Sequence, residues 1–255
     1  GRVLSEATGD VRDTYALGEH LGRGSYGTVV LARHRASGAS RAVKTVSKKR
    51  HFAALTLRRE IVAMRRVDHE NVIKLFDVYE DSDCVYLAME LASGGDLYDR
   101  FCQCQCGRFS EDISALLIRQ VLCAVEHLHE GGLVHRDLKL ENFVLARAGL
   151  VEGNTLKLVD FGLARECEEG EVLRSRVGTA NYMSPQVANG KYDRSCDLWS
   201  VGVMLYLLLS GRFPIDGGND SQVLLRVREG RWDFLAGVWR PVSPEAKNLV
   251  RALMR

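Results

Sequence analysis

The chain has no apolar run that reaches the ~20 residues of a membrane span. Its most apolar stretch, residues 198–209, is too short and reads as a buried core helix. Net charge is also scarce: +2 over 255 residues is too small to imply a nucleic-acid or membrane surface. Paired cysteines are missing as well. The seven cysteines are odd in number and lack zinc-type spacing. The alternating Cys102, Cys104 and Cys106 run into a turn at Gly107 with no histidine nearby, so the expectation is reduced thiols in a cytoplasmic protein. No signal peptide, internal repeat or low-complexity segment is visible. What remains is ordinary globular composition, 46% hydrophobic, in a chain that suits one domain or two lobes.

The most informative stretch is His135-Arg136-Asp137-Leu138-Lys139-Leu140-Glu141-Asn142. It sets an acid, a lysine and an amide within six residues. Phosphoryl transfer to a hydroxyl uses such a set: Asp137 to accept the proton of the attacking hydroxyl, Lys139 to neutralise the moving group, Asn142 to hold a metal ion. The bland alternative is a polar loop between two apolar stretches. Eighteen residues on, Asp160-Phe161-Gly162 follows the strand-like Leu156-Lys157-Leu158-Val159. A carboxylate at a strand end, before a glycine that permits a sharp turn, suits magnesium, which prefers oxygen and keeps substrate phosphates in its shell.

Upstream, Leu21-Gly22-Arg23-Gly24-Ser25-Tyr26-Gly27-Thr28-Val29 offers three glycines that let backbone amides approach phosphate oxygens. Dinucleotide-binding folds share this spacing but place it before a helix. Here the β-branched Thr28-Val29-Val30-Leu31 follows, so a hairpin lid fits better. Ala42-Val43-Lys44 puts a lysine on the next strand. Residues 56–67 have helical spacing, with Leu57, Ile61 and Met64 on one face and Glu60 beside it. Glu60 is the best candidate to reach Lys44, and could equally be one more exposed helix charge.

These residues resemble the eukaryotic protein kinase family, each motif occurring once and in family order from about Tyr15 onward. The resemblance implies an α+β, bilobal kinase fold, with a small antiparallel β-sheet lobe carrying one main helix and a larger, mostly helical lobe. It implies ATP and Mg2+ as cofactors. Lys44, Glu60, Asp137, Lys139 and Asn142 become the expected catalytic residues, with Asn142 and Asp160 on the metal. Leu21, Gly22, Gly24, Gly27, Val29, Ala42, Lys44, Met89, Glu90, Leu91, Val144 and Asp160 become the expected nucleotide residues, Met89 as gatekeeper and Glu90 and Leu91 offering backbone hydrogen bonds. Asp197 matches the buried aspartate that anchors the catalytic loop.

Lys139 and Thr179 look like serine/threonine rather than tyrosine kinases, and several stretches are similar to the calcium/calmodulin-dependent group, plant and protist calcium-dependent kinases above all. That implies protein substrates bearing Ser or Thr, and a calcium-sensing regulatory segment outside this chain. In similar basophilic kinases, acids at the positions of Asp96 and Glu141 receive basic side chains upstream of the target. A pseudokinase scaffold and a small-molecule kinase are the rival readings.

Two departures stand out. The family's Ala-Pro-Glu reads Ser184-Pro185-Gln186, so the usual glutamate–arginine pair cannot form, and Leu140 stands where most relatives have proline. The expected organisation is a loose lead-in over 1–14, a strand-rich lobe over 15–89, a hinge over 90–93 and a helical lobe over 94–255. The last is expected to be truncated, leaving the amphipathic helix over 243–254 without a successor to cover it.

Overall fold

The computed structural model describes residues 9–24, 27–48, 51–235 and 237–255. After a helical turn, α1 (Val11–Thr14), come strands β1 (Tyr15–Gly24), β2 (Gly27–His34) and β3 (Ser40–Ser47), helix α2 (His51–Arg66), and strands β4 (Leu75–Glu80) and β5 (Cys84–Met89). They form one antiparallel sheet in the order β1-β2-β3-β5-β4. Alternating Val and Leu on β3, β4 and β5 cover one face with α2, where Val46, Leu57, Ile61, Val78, Val85 and Leu87 make a buried cluster.

The expectation of a loose lead-in up to residue 14 is corrected at its end. Asp10 caps α1 by accepting from the Arg12 amide at 2.8 Å, and Val11 is 1% exposed beneath the sheet's far face with Tyr15 and Tyr79. One apolar side chain at the right spacing is enough to dock that turn.

The second lobe holds α3 (Leu97–Cys102), α4 (Glu111–Glu130), α5 (Pro185–Asn189), α6 (Ser195–Ser210), α7 (Asp220–Glu229) and α8 (Pro244–Leu253). Two short ladders lie at its top: β6 (Leu133–Val134) with β9 (Arg165–Glu166), and β7 (Phe143–Leu145) with β8 (Leu156–Leu158). Ser110 and Ser243 cap α4 and α8 through the amides of Ile113 and Ala246. As its composition predicts, α6 is buried almost all round and forms the axis of the lobe. Gly202 on α6 lets α8 come close: a Cβ there would sit 2.5 Å from Met254 Cγ and 2.9 Å from Leu253 Cβ. None of the described helices is long and apolar enough to cross a membrane.

Candidate active site

Between the lobes lies a cavity of about 510 Å³. Its roof is the β1–β2 hairpin, in which Gly22 pairs with Val29 and Gly24 with Gly27; residues 25 and 26 at its tip lie outside the described residues. The glycine motif therefore opens a hairpin and not a strand–helix turn. A Cβ on Gly27 would stand 1.9 Å from the Thr45 carbonyl oxygen, so β3 itself demands glycine there. Gly22 meets nothing within 4 Å and lines the cavity with Leu21, Val29 and Ala42.

Register carries Lys44 to the same cavity, since it pairs with Val29 on one side and Leu87 on the other. Its Nζ meets Glu60 Oε1 at 2.6 Å, with side chains 11% and 3% exposed. Leu57 and Ile61 are buried against the sheet and Met64 beside Phe161, which turns Glu60 inward and makes the ion pair. Little solvent screens a pair at that depth.

On the floor, Leu140–Asn142 form a single 3-10 turn that leads into β7. Asn142 Nδ2 donates to the Asp137 carbonyl at 2.8 Å, which leaves its Oδ1 as the atom to offer a ligand. Asp137 Oδ2 lies 3.0 Å from Lys139 Nζ. Its Oδ1 accepts from Thr179 Oγ at 2.7 Å, and Lys139 Nζ donates to the same Thr179 oxygen at 3.0 Å. Asp137, Lys139 and Thr179 thus close a triangle, although Thr179 is forty residues away in sequence from Lys139.

Asp197 holds this loop from below. It is 1% exposed. Its Oδ2 accepts from His129 Nε2 and the His135 amide, both at 2.9 Å, and its Oδ1 accepts from the Arg136 amide at 2.8 Å. Burial alone would raise the Asp197 carboxyl, but the His129 hydrogen bond and charge, with the His135 amide, keep it below the usual carboxylate range. Arg136 takes φ 68° in this grip, a region a non-glycine residue enters only when its surroundings hold it there. Burial pushes the His135 imidazole below its ordinary range. Its Nδ1 accepts from the Asp137 amide at 3.4 Å, and its ring meets Phe161 edge-on at 5.3 Å.

Asp160 follows β8 with φ 64°, and Phe161 is fully buried in the cluster that includes Ala63 and Met64. The Asp160 Oδ1 accepts from the Gly162 amide at 3.2 Å. Asp160 and Asn142 both line the cavity. One carboxylate and one amide oxygen make an all-oxygen pair, the donor set that fits magnesium completed by substrate phosphates.

At the hinge, the Glu90 amide donates to the Lys74 carbonyl at 2.8 Å, so its own carbonyl is the group left for the cavity. The lining then passes from Glu90 to Ala92. Among the described residues expected to bind the nucleotide, Leu91 and Gly27 do not line it, while Met64, Ile73, Ala92 and Val159 do and were missed. Alternation along the hinge would have pointed to Ala92, whereas Met64 and Ile73 carry no local signal.

Other sequence features fall as follows. Asp96 caps α3 through the Asp99 amide at 2.8 Å. Glu141 is exposed and accepts from Tyr182 OH at 3.3 Å. Ser175 is exposed, with its Oγ 2.9 Å from an Arg136 guanidinium nitrogen. It borders a larger cavity of about 750 Å³ shared with Arg58, Arg59, Arg165 and Glu171. That cavity is bordered by α2 and Arg136 and shares no lining residue with the cleft between the lobes. Gln186 is exposed and donates through Nε2 to the Arg255 carbonyl at 3.5 Å, a long contact where a buried ion pair was expected in relatives. Among the described residues no three His, Cys, Asp or Glu gather as a metal cluster, and Cys104 instead donates to the Arg108 carbonyl.

A strand-rich lobe, a hinge, and a helical lobe whose top carries an anchored acid–lysine–amide loop define a protein kinase. The protein kinase domain family matches residues 15–255, and the chain belongs to it. Among characterised proteins it is similar to calcium-dependent protein kinase 5 of Plasmodium falciparum, 38% identical over 242 residues, which is 94% of this chain and 42% of the relative. It is equally similar to calcium-dependent protein kinase 34 of Arabidopsis thaliana, 38% identical over 258 residues, covering 100% of this chain and 49% of the relative. The chain spans under half the length of these curated relatives.

Proposed function

We propose that this chain is an active serine/threonine kinase domain, which transfers the γ-phosphate of ATP to hydroxyls preceded by basic residues. The observation that carries the reading is the closed triangle of Asp137, Lys139 and Thr179 below the buried Lys44–Glu60 pair. Magnesium would supply positive charge to offset that of the phosphates. Asn142 and Asp160 are the residues to hold it.

The chain's own groups do the rest. Lys44, fixed by Glu60, offers its ammonium to the α and β phosphates. Val29, Ala42 and Val144 enclose the purine, and Met89 and Glu90 bound it at the hinge. Asp137 accepts the proton of the incoming hydroxyl at a carboxylate oxygen. Lys139 stands 3.0 Å from that carboxylate, where it can neutralise the transferring phosphoryl. Catalysis of this kind is positioning and charge stabilisation more than covalent chemistry. Support for activity over a pseudokinase scaffold comes from the intact Lys44, Glu60, Asp137, Asn142 and Asp160 set. Support for a protein substrate comes from Thr179 and the exposed Glu141. Calcium control would reside in a regulatory segment outside this chain, as the relatives' names suggest.

Incubation with radiolabelled ATP, magnesium and a basic serine peptide tests the reading. Label on the peptide is expected. ATP binding without transfer to any peptide means a scaffold, and transfer to aminoglycosides or choline alone means a small-molecule kinase.

A further inference from the structure

One charged side chain behind the hinge is engaged from two lobes at once. Glu90 and Lys74 form a reciprocal ring: the Glu90 amide donates to the Lys74 carbonyl at 2.8 Å, and the Lys74 amide donates to Glu90 Oε2 at 3.3 Å. The other carboxylate oxygen, Oε1, meets Lys157 Nζ at 2.7 Å. The Lys74 ammonium is turned away to Asp68 at 3.0 Å, so Lys157 supplies the neutralising cation.

The position of Lys157 gives this pair its reach. It is the middle residue of β8, directly across from Val144 in β7, and three residues before Asp160. Its side chain is 11% exposed and that of Glu90 30%, so solvent screens the pair less than an open surface bridge, which contributes little. Beyond Glu90 the next main-chain tie of the hinge to the second lobe is the Ser93 amide to the Ala146 carbonyl at 3.2 Å. A bond at Glu90 therefore fixes the upper end of an otherwise irregular stretch.

We propose that Lys157 is a positioning residue for the nucleotide: its ion pair with Glu90 ties the hinge to the strand that carries Asp160, and so holds the Glu90 carbonyl in register with the Asp160 carboxylate. The inference rests on the reading of this cleft as an ATP site. If it is right, Lys157 acts on nucleotide affinity, whereas a side chain that served folding alone would act on melting temperature.

Binding of a fluorescent ATP analogue with magnesium, followed by steady-state kinetics with a peptide, separates these. Lys157→Met and Glu90→Gln should each raise Kd and the KM for ATP about five- to tenfold, the size of one ordinary hydrogen bond in net terms. In Lys157→Met, kcat at saturating ATP and the peptide KM should move less than about twofold, the split expected when ground-state binding alone is weakened. Lys157→Arg should retain affinity, and the double variant should be no worse than either single one, since both remove the same interaction. A change below about twofold in Kd for Lys157→Met, or a lowered melting temperature with unchanged Kd, overturns the inference while the ATP-site reading stands. Failure of the unsubstituted protein to bind the analogue overturns both.

Discussion

Replacing Asp197 by asparagine tests how the catalytic loop is held. The carboxylate serves donors on both oxygens: His129 Nε2 and the His135 amide on one, the Arg136 amide on the other. An asparagine of the same shape has a single acceptor. If its oxygen faces His129 and His135, its NH2 faces the Arg136 amide, donor against donor; the flipped amide strands two donors instead. One lost hydrogen bond to a charged acceptor costs about 1.5–3 kcal/mol, and the buried donor left behind about 1–3 more. The sum, ~2.5–6 kcal/mol, is a large fraction of the ~5–15 kcal/mol available to a domain. Arg136 would also lose what holds it at φ 68°, so Asp137 shifts and kcat should fall by more than the stability change alone implies. Denaturant unfolding followed by circular dichroism, with peptide phosphorylation on the folded fraction, reads both effects. Acid gives an independent arm. The folded Asp197 carboxyl lies below its unfolded value of about 4. Its contribution is therefore complete above pH ~4 and is lost as pH falls through the depressed folded value. Asp197→Asn should flatten that part of the stability profile. A variant within about 1 kcal/mol of the parent, with unaltered kcat and acid limb, would refute the anchoring argument.

Asp137→Asn should abolish peptide phosphorylation while leaving the Kd for the ATP analogue near that of the parent, because the proposed role of Asp137 is toward the acceptor hydroxyl and not the nucleotide; near-parental turnover contradicts the mechanism. Gly27→Ala should raise the KM for ATP and lower the melting temperature, because its Cβ would lie 1.9 Å from the Thr45 oxygen; unchanged values would mean the hairpin yields freely. Phosphate on Ser175 would add about −1.5 to −2 charges beside Arg136, Arg58 and Arg59, and should raise kcat relative to Ser175→Ala; equal rates dismiss the idea. A positional peptide library should favour arginine or lysine two or three residues before the target, and Glu141→Gln should weaken that preference; an even library refutes the basic-site assignment.

Much of this architecture was legible in the chain itself. β-branched runs marked the strand-rich half, a helical period marked α2 and α8 because burial of one face imposes it locally, and an unbroken apolar run marked α6. The glycine hairpin, the acid–lysine–amide loop and Asp160 were legible because each is a short contiguous motif whose spacing is its geometry. The triangle at Asp137 was not, since Thr179 reaches it only when the chain after Asp160 folds back. Whether Glu60 met Lys44 was open in the sequence, and the packing of Leu57 and Ile61 against the sheet decided it. Val11 looked like part of a loose tail until the far face of the sheet gave it a place to be buried. Tertiary structure alone turned Glu90 toward Lys157, brought Met64 and Ile73 to the cleft lining, and left Gln186 at the surface. Local pattern fixes which face of an element is apolar, but which polar groups then meet depends on how distant elements cross, and that is settled only by the assembled core.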